Sequence, residues 1–220
     1  MTTKNVGVIG LGAMGLGIAK TLRNNGYNVH ACDVRPGSAA DFAKDGGVAC
    51  SSPADLAARV DVVISVVVNA AQTESVLFGE QGAAAAMKAG SVFVMCSTVD
   101  PNWSIALEAR LAEAGILYVD GPISGGAAKA AAGQMTMMTS ARPEAYAVAG
   151  EVLDNMAGKV YRLGDQAGAG SKVKIINQLL AGVHIAVAAE AMALGLREGV
   201  DAAGLYLSLI HISEPTRPRL

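Results

Sequence analysis

Three glycines, Gly10, Gly12 and Gly15, follow directly on the apolar run Val6-Gly7-Val8-Ile9 and open a helix-like stretch from Met14 to Asn25. This spacing suits an anion. Gly10 permits a tight strand-to-helix turn, Gly12 lets the backbone approach a pyrophosphate, and Gly15 allows close packing of helix on strand. Leu11, Ala13 and Met14 complete the loop, and free amides at the helix start meet the phosphate charge. Asp33 closes the next apolar run, Tyr27 to Cys32, at the distance of about 20 residues where an acid accepts ribose hydroxyls. An ordinary turn with spare glycines is the alternative. The strand before, the helix after and the acid beyond favour a dinucleotide site.

Three further stretches stand where strands should end. Val66-Val67-Val68-Asn69 closes a fourth strand, Cys96-Ser97-Thr98 a fifth, and Asp120-Gly-Pro-Ile-Ser-Gly-Gly126 follows a sixth. In the last, Ser124, Gly125 and Gly126 offer a hydroxyl and unobstructed amides that suit a small carboxylate. A glycine turn with an N-cap serine accounts for the same residues. Farther on, Lys174, Asn177 and Gln178 are spaced i, i+3 and i+4 and share one helix face, with Lys172 roughly opposite. Such a polar trio on an otherwise apolar helix needs a polar destination, which a substrate crevice provides. For Lys174 the competing account is a snorkelling surface lysine.

The elements that must position these residues alternate from residue 5 to about 162. Strands are expected at 5–9, 27–32, 47–50, 61–68, 91–96, 115–119, 134–139 and 158–162. Helices are expected at 13–25, 38–45, 53–59, 70–78, 80–88, 101–114, 126–132 and 143–155. Ser52-Pro53 and Asp100-Pro101 each place a capping residue before a proline at the first helical position. The alternation predicts an α/β fold, a doubly wound parallel sheet with its ligand crevice at the carboxyl ends of the strands; the later strands are free to pair partly antiparallel. From Gly168 onward one helix is expected over 169–198, about 45 Å long and apolar nearly all round. Domain boundaries are therefore expected at 1–164, 165–207 and 208–220. The last stretch has no helical period, carries Pro215 and Pro218, and resembles translated adapter DNA. The authentic sequence is expected to stop near Leu205–Leu207, with the rest of a helical domain missing.

Composition narrows the class. The chain has 220 residues, is 52% hydrophobic and only 4% aromatic, so Ala, Val, Leu and Gly do most of the packing, as in a buried parallel sheet. A formal charge of -2 without a basic stripe argues against nucleic acid. Cys32, Cys50 and Cys96 show no metal-ligand spacing and no even disulfide set, which suits a reducing compartment. Met1 to Lys4 leads straight into the first strand, leaving no room for a signal peptide. Leu179 to Leu196 is apolar, but His184, Glu190 and its alanines make a buried helix the expectation over a membrane span. A cytoplasmic protein with no membrane partner is expected.

The Gly10–Gly15 loop, Asp33, Ser97-Thr98, Asp120–Gly126 and Gly168–Gln178 resemble, in type and order, the β-hydroxyacid dehydrogenases, over residues 5 to about 206. That family includes 3-hydroxyisobutyrate and tartronate-semialdehyde enzymes. Val63–Gln72, Val94–Trp103 and Gly125–Ser140 are closest to its branch acting on L-threonate. The resemblance implies a Rossmann-type sheet domain followed by an all-helical domain that begins with the long helix, and NAD(P)-linked oxidation of small hydroxyacids. It also implies roles: Gly10 to Gly15 for the pyrophosphate, Asp33 for the adenosine ribose, and Val67, Val68 and Thr98 for the nicotinamide side. Ser124, Gly125 and Gly126 would anchor the substrate carboxylate, with Asn177 and Gln178 also at the substrate and Lys174 as acid/base. The family usually has two consecutive asparagines after the lysine; here the second is Gln178. A further cofactor lysine expected downstream falls beyond residue 220.

For chemistry, Lys174 must be partly neutral near pH 7, and burial beside a positively charged ring lowers its pKa in that direction. Asp33 favours NAD because a carboxylate repels a 2′-phosphate, and Arg35 is expected to pack by the adenine or point to water. The expected activity is NAD-dependent oxidation of L-threonate at C2 by a homo-oligomer. The rivals are 3-hydroxyisobutyrate or tartronate-semialdehyde chemistry, and a non-catalytic dinucleotide-binding module.

Overall fold

The computed structural model describes residues 4–209, in two compact units, Met1–Lys174 and Ile175–Leu220. The strands are β1 (Asn5–Ile9), β2 (Asn28–Cys32), β3 (Val48–Ala49), β4 (Val62–Ser65), β5 (Val92–Met95), β6 (Leu117–Asp120), β7 (Ile123–Ser124), β8 (Thr136–Ala141) and β9 (Lys159–Arg162). The helices are α1 (Ala13–Asn24), α2 (Ser38–Lys44), α3 (Pro53–Ala57), α4 (Ala70–Phe78), α5 (Pro101–Glu113), α6 (Gly126–Ala131), α7 (Pro143–Met156), α8 (Ala169–Arg197) and α9 (Ala202–Leu209).

In the first unit the sheet runs β3-β2-β1-β4-β5-β6-β8-β7, with β9 on β8. β1 to β6 pair in parallel; β8 pairs antiparallel with both β6 and β7, and parallel with β9. The chain leaves β1 on one side towards β2 and β3 and returns on the other at β4, so the strand order reverses at β1, where open α/β sheets bind ligands.

Alternate side chains of each strand enter two cores. Val6, Val8, Val62, Ile64, Val92 and Val94 face one, completed by Ile18 and Leu22 of α1 and Val152 and Leu153 of α7. Ile9, Val63, Phe93 and Met95 face the other, completed by Leu56 of α3, Leu77 of α4, and Leu107 and Leu111 of α5. Burial on both faces explains why these strands read as continuous apolar runs. Small residues let the layers approach closely: a Cβ on Gly17 of α1 would lie 2.6 Å from the backbone of Ala130 in α6.

Several expectations need correction. The strand expected over 61–68 ends at Ser65, and Val66 to Val68 leave the sheet. No helix forms over 80–88. Gly79 ends α4 in an extended conformation, and the N–H groups of Ala83 and Ala84 donate back to the carbonyls of Val76 and Leu77, folding the chain along α4. β7 was not foreseen.

α8 is not the buried helix expected: Leu179 is 66% and Ile185 72% exposed, and among its described residues only Gly170, Ser171 and Lys174 are buried. By length and composition α8 is apolar enough to cross a membrane. Gly199, at φ 78°, closes its C-terminus, and Asp201 caps α9 by accepting the N–H of Gly204 at 2.8 Å. α9 continues through Leu209, two residues into the stretch expected to lack helical period; 210–220 lie outside the described residues.

The start of α8 is fastened to the sheet by a buried acid. Asp120, 0% exposed at the carboxyl end of β6, accepts the N–H groups of Gly168 and Ser171 at 2.9 Å each and the Ser171 hydroxyl at 2.6 Å. The Ser140 hydroxyl accepts the N–H of Gly170 at 3.0 Å and lies 3.4 Å from Asp120. A side chain at position 170 has no room, since its Cβ would fall 2.5 Å from the Met138 carbonyl oxygen. Asp120→Ala removes the acceptor of three buried donors, so a loss of about 2–4 kcal/mol in unfolding free energy is expected, measured by equilibrium denaturation.

Candidate functional site

Two of the three loop glycines are demanded by packing. Gly10 has φ 91°, and a Cβ there would lie 2.4 Å from the Val66 carbonyl oxygen; at Gly15 it would lie 1.9 Å from the Gly10 carbonyl oxygen. Gly12 differs. Its backbone is extended, and a Cβ would meet nothing within 4 Å. As N-cap of α1 it contributes no side-chain cap, and the first turn carries no acid. The opening amides of α1 thus have no side-chain acceptor at the cap, an arrangement that suits an anion approaching the backbone.

Beside this loop lies a cavity of about 540 Å³ lined by Gly10, Gly12, Asp33, Arg35, Val67, Val68 and Gln72, among others. Five sequence-predicted residues, Gly10, Gly12, Asp33, Val67 and Val68, thus line one space. Leu11 is buried in the core, but its N–H donates to Asp33 at 2.5 Å. Ala13 is exposed and Met14 half-buried, and neither lines the cavity. The loop after β4 is tied down twice: Ser97 donates to the Val67 carbonyl, and the Val68 N–H donates to Gln72, both at 2.8 Å. Asn69 caps α4 by accepting the Gln72 N–H at 2.9 Å. Gln72 and Ser97 received no role from sequence reasoning; their signal was position alone, at the ends of apolar runs.

Asp33 is half-buried, and that desolvation by itself raises a carboxyl pKa. Hydrogen bonds from the Arg35 guanidinium, the Arg35 N–H and the Leu11 N–H outweigh this and hold it below the ordinary value. Arg35 is exposed, and its guanidinium pairs with the acid: Nε and Nη2 donate to Asp33 at 3.0 and 3.2 Å, and Nη2 also donates to the Leu11 carbonyl at 2.6 Å. The chain bends just after β2, and the Asp33 carboxylate accepts the Arg35 N–H at 2.7 Å in an Asx-type turn, which brings the pair together.

A second group sits at the carboxyl ends of β6 and β7. Ser124 is half-buried; Gly125 and Gly126 have φ 137° and 71°, and a Cβ on Gly126 would meet nothing within 4 Å. Lys174, one turn past Ser171 on α8, is 6% exposed, and burial lowers its pKa. Lys172 is exposed, in line with the helical spacing. Thr98 is exposed and outside the cavity lining. Asn177 and Gln178 belong to the second unit, the former half-buried and the latter exposed. Among the described residues no cluster of His, Cys, Asp and Glu suits a metal, and all three cysteines are buried.

Comparison with known proteins bears on this arrangement. Residues 5–164 match the family model for the NAD-binding domain of 6-phosphogluconate dehydrogenase. Residues 168–211 match that for the NAD-binding of NADP-dependent 3-hydroxyisobutyrate dehydrogenase. L-threonate dehydrogenase of Cupriavidus necator is 63% identical over 209 residues, covering 95% of this chain and 70% of that protein. The enzyme of the same name from Pectobacterium atrosepticum is 45% identical, covering 91% and 66%. A crystal structure described as 3-hydroxyisobutyrate dehydrogenase from Salmonella typhimurium superposes with a TM-score of 0.89 at 42% identity, covering 94% of this chain and 73% of that one. The chain thus spans roughly two thirds of the length of these curated relatives. With its glycine loop, ribose-distance acid and buried lysine on one sheet edge, the chain belongs to the β-hydroxyacid dehydrogenases, a family of NAD(P)-dependent oxidoreductases.

Proposed function

We propose that the protein oxidises L-threonate, or a closely related four-carbon sugar acid, at C2 with NAD. The observation that carries this reading is Lys174, an amine buried at the head of α8 on the same carboxyl edge of the sheet as the glycine loop. The likeness to two L-threonate dehydrogenases supports the substrate class. A dedicated binding module has no use for such an amine. The cavity at Gly12 and Asp33 suits the dinucleotide: Gly10 to Gly15 hold its pyrophosphate, Asp33 its ribose, and Val67, Val68 and Thr98 its nicotinamide side. Bound there, NAD supplies a hydride acceptor for the carbinol carbon.

The remaining work falls to side chains. Ser124, Gly125 and Gly126 hold the substrate carboxylate through a hydroxyl and open amides. Asn177 and Gln178 are assigned to the substrate on resemblance. Lys174 takes the hydroxyl proton in oxidation and returns it in reduction. Its burial favours the neutral amine, the form that accepts a proton. The exposed apolar residues of α8 support a homo-oligomer, and a cytoplasmic location is part of the same proposal. Recovery in the detergent-free soluble fraction as a species larger than one chain by light scattering checks both.

Lys174→Ala is expected to lower kcat by about 10²–10⁴-fold while changing the Kd of NAD less than about twofold, which stopped-flow and direct titration separate. For the unmodified protein, oxidation rate should rise with pH as Lys174 deprotonates, on a limb with its midpoint below the ordinary lysine value of 10.5. Reduction, which needs the protonated amine, should fall over the same limb.

Gly12→Ala places its methyl in open space, so the denaturation midpoint should stay unchanged. NAD affinity should still fall by about tenfold or more, because the methyl stands where the pyrophosphate approaches. Unchanged affinity would remove the glycine loop from cofactor binding.

A further inference from the structure

We propose that Ser97 and Thr73 are positioning residues for the cofactor, acting through the single peptide that joins Val67 to Val68. The inference rests on the reading of Val67 and Val68 as the nicotinamide side. That peptide is held at both of its polar ends. Its carbonyl accepts the Ser97 hydroxyl at 2.8 Å, and its N–H donates to the Gln72 side-chain oxygen at 2.8 Å. A peptide unit is planar, so fixing its oxygen and its hydrogen fixes the rotation of the whole plane. Val67 and Val68, on either side of it, line the cavity, and Val68 is 75% exposed. So exposed a valine takes little direction from packing. The hydrogen bonds of its peptide supply it.

Ser97 does not act alone. It is buried, and its oxygen lies 3.2 Å from the hydroxyl of Thr73, which is buried on α4. Each hydroxyl has one hydrogen to donate. Ser97 gives its own to the Val67 carbonyl, so the hydrogen between the pair comes from Thr73, which also lies 3.0 Å from the Asn69 carbonyl. Donation thus runs from Thr73 in α4, through Ser97 after β5, to the wall that follows β4. Neither hydroxyl lines the cavity, and Asp33 and its donors take no hydrogen bond from this chain. Without the Ser97 hydroxyl the Val67 carbonyl loses its donor, a costly state unless the peptide turns toward water in the cavity. That turn sets a solvated carbonyl where the wall now presents methyl groups. A flat ring packs on methyl groups and not on such a carbonyl. The buried pair therefore keeps the nicotinamide side apolar and leaves the ribose side as it was.

The test is direct titration of NAD, and of ADP-ribose, which lacks the nicotinamide, into the unmodified chain, Ser97→Ala and Thr73→Val. Melting curves confirm that each is folded. Ser97→Ala should weaken NAD by about threefold to tenfold, as one lost hydrogen bond does, while ADP-ribose stays within about twofold. General loosening of the site weakens both ligands alike. Thr73→Val removes the first hydroxyl at nearly constant volume and should shift NAD in the same direction by a smaller factor. Thr73→Ser keeps the hydroxyl and should match the unmodified chain. The emission of bound NADH, which reports the polarity around its ring, should move toward that of free NADH in Ser97→Ala. Equal weakening of NAD and ADP-ribose, or no change in either, would overturn the role of the pair. The same emission separates the two levels of argument. A change on binding that survives intact in Ser97→Ala rejects the hydroxyl pair alone. Bound NADH that emits like free NADH in the unmodified chain rejects the nicotinamide reading of this wall, and the pair with it. Failure of the unmodified chain to bind either ligand rejects the whole cofactor site.

Discussion

The start of α8 depends on one buried carboxylate. Asp120 is removed from water at the end of β6, where an isolated charge would be strongly disfavoured. It is tolerated because the first turn of α8 turns two N–H groups and a hydroxyl onto it, and the helix N-terminus adds its dipole. The dependence runs both ways. The carboxylate needs the helix start to be buried, and the helix start needs the carboxylate because its opening amides have no water to turn to. Gly170 lets the turn lie against the strand ends, and Ser140 holds it from β8. Lys174 follows one turn later, so its direction is inherited from this clamp.

The same economy of side chains shapes the cofactor side. A chain with 4% aromatic residues fills its interior with small groups, and its layers come within backbone distance of one another. Gly10, Gly15 and Val66 meet carbonyl to Cα, and Gly17 meets Ala130 in the same way. That contact brings α1 down onto β1 and β4 and leaves the amides at Gly12 at the mouth of the crevice. The exit of Val66 to Val68 from the sheet opens the opposite wall. Ser97 and Gln72 then supply the hydrogen bonds that a seventh or eighth strand residue would have found in the ladder.

Local signals made much of this legible from the amino acids alone. Strand, glycine loop, helix and acid follow one another over residues 5–33, and each is recognised from its near neighbours. Val66 to Val68 are as β-branched as Val62 to Ile64, so composition does not mark where β4 stops; contacts with Gly10 and Ser97 do. The alanines over 83–86 have high helix propensity, but Gly79 and Gly82 and the hydrogen bonds back to α4 override it. Asp120 was visible only as part of a glycine-rich stretch. Its partners lie 48 and 51 residues away, beyond any spacing rule. The stretch from Leu179 to Leu196 was read as buried from its alanines, His184 and Glu190, whereas its exposure depends on which neighbours the fold brings to it.

The two ionisable groups proposed for the site are tuned by different physics, and each suits its task. Asp33 has to remain charged to accept hydroxyl protons while sitting in a partly desolvated pocket. Donors outweigh the burial, so its pKa falls. In the proposed role Lys174 has to spend part of its time neutral, and desolvation shifts its pKa downward, in that direction. An acceptor-rich setting would raise the pKa of Lys174, and burial without donors would raise that of Asp33, the wrong direction for each task. The fold separates these environments along one sheet edge. The Leu11 N–H and Arg35 hold the acid after β2, while the lysine is buried one turn past Ser171, which Asp120 holds at the end of β6. Because the acid's state relies on Arg35 and the lysine's on burial, a perturbation of one has no direct route to the other.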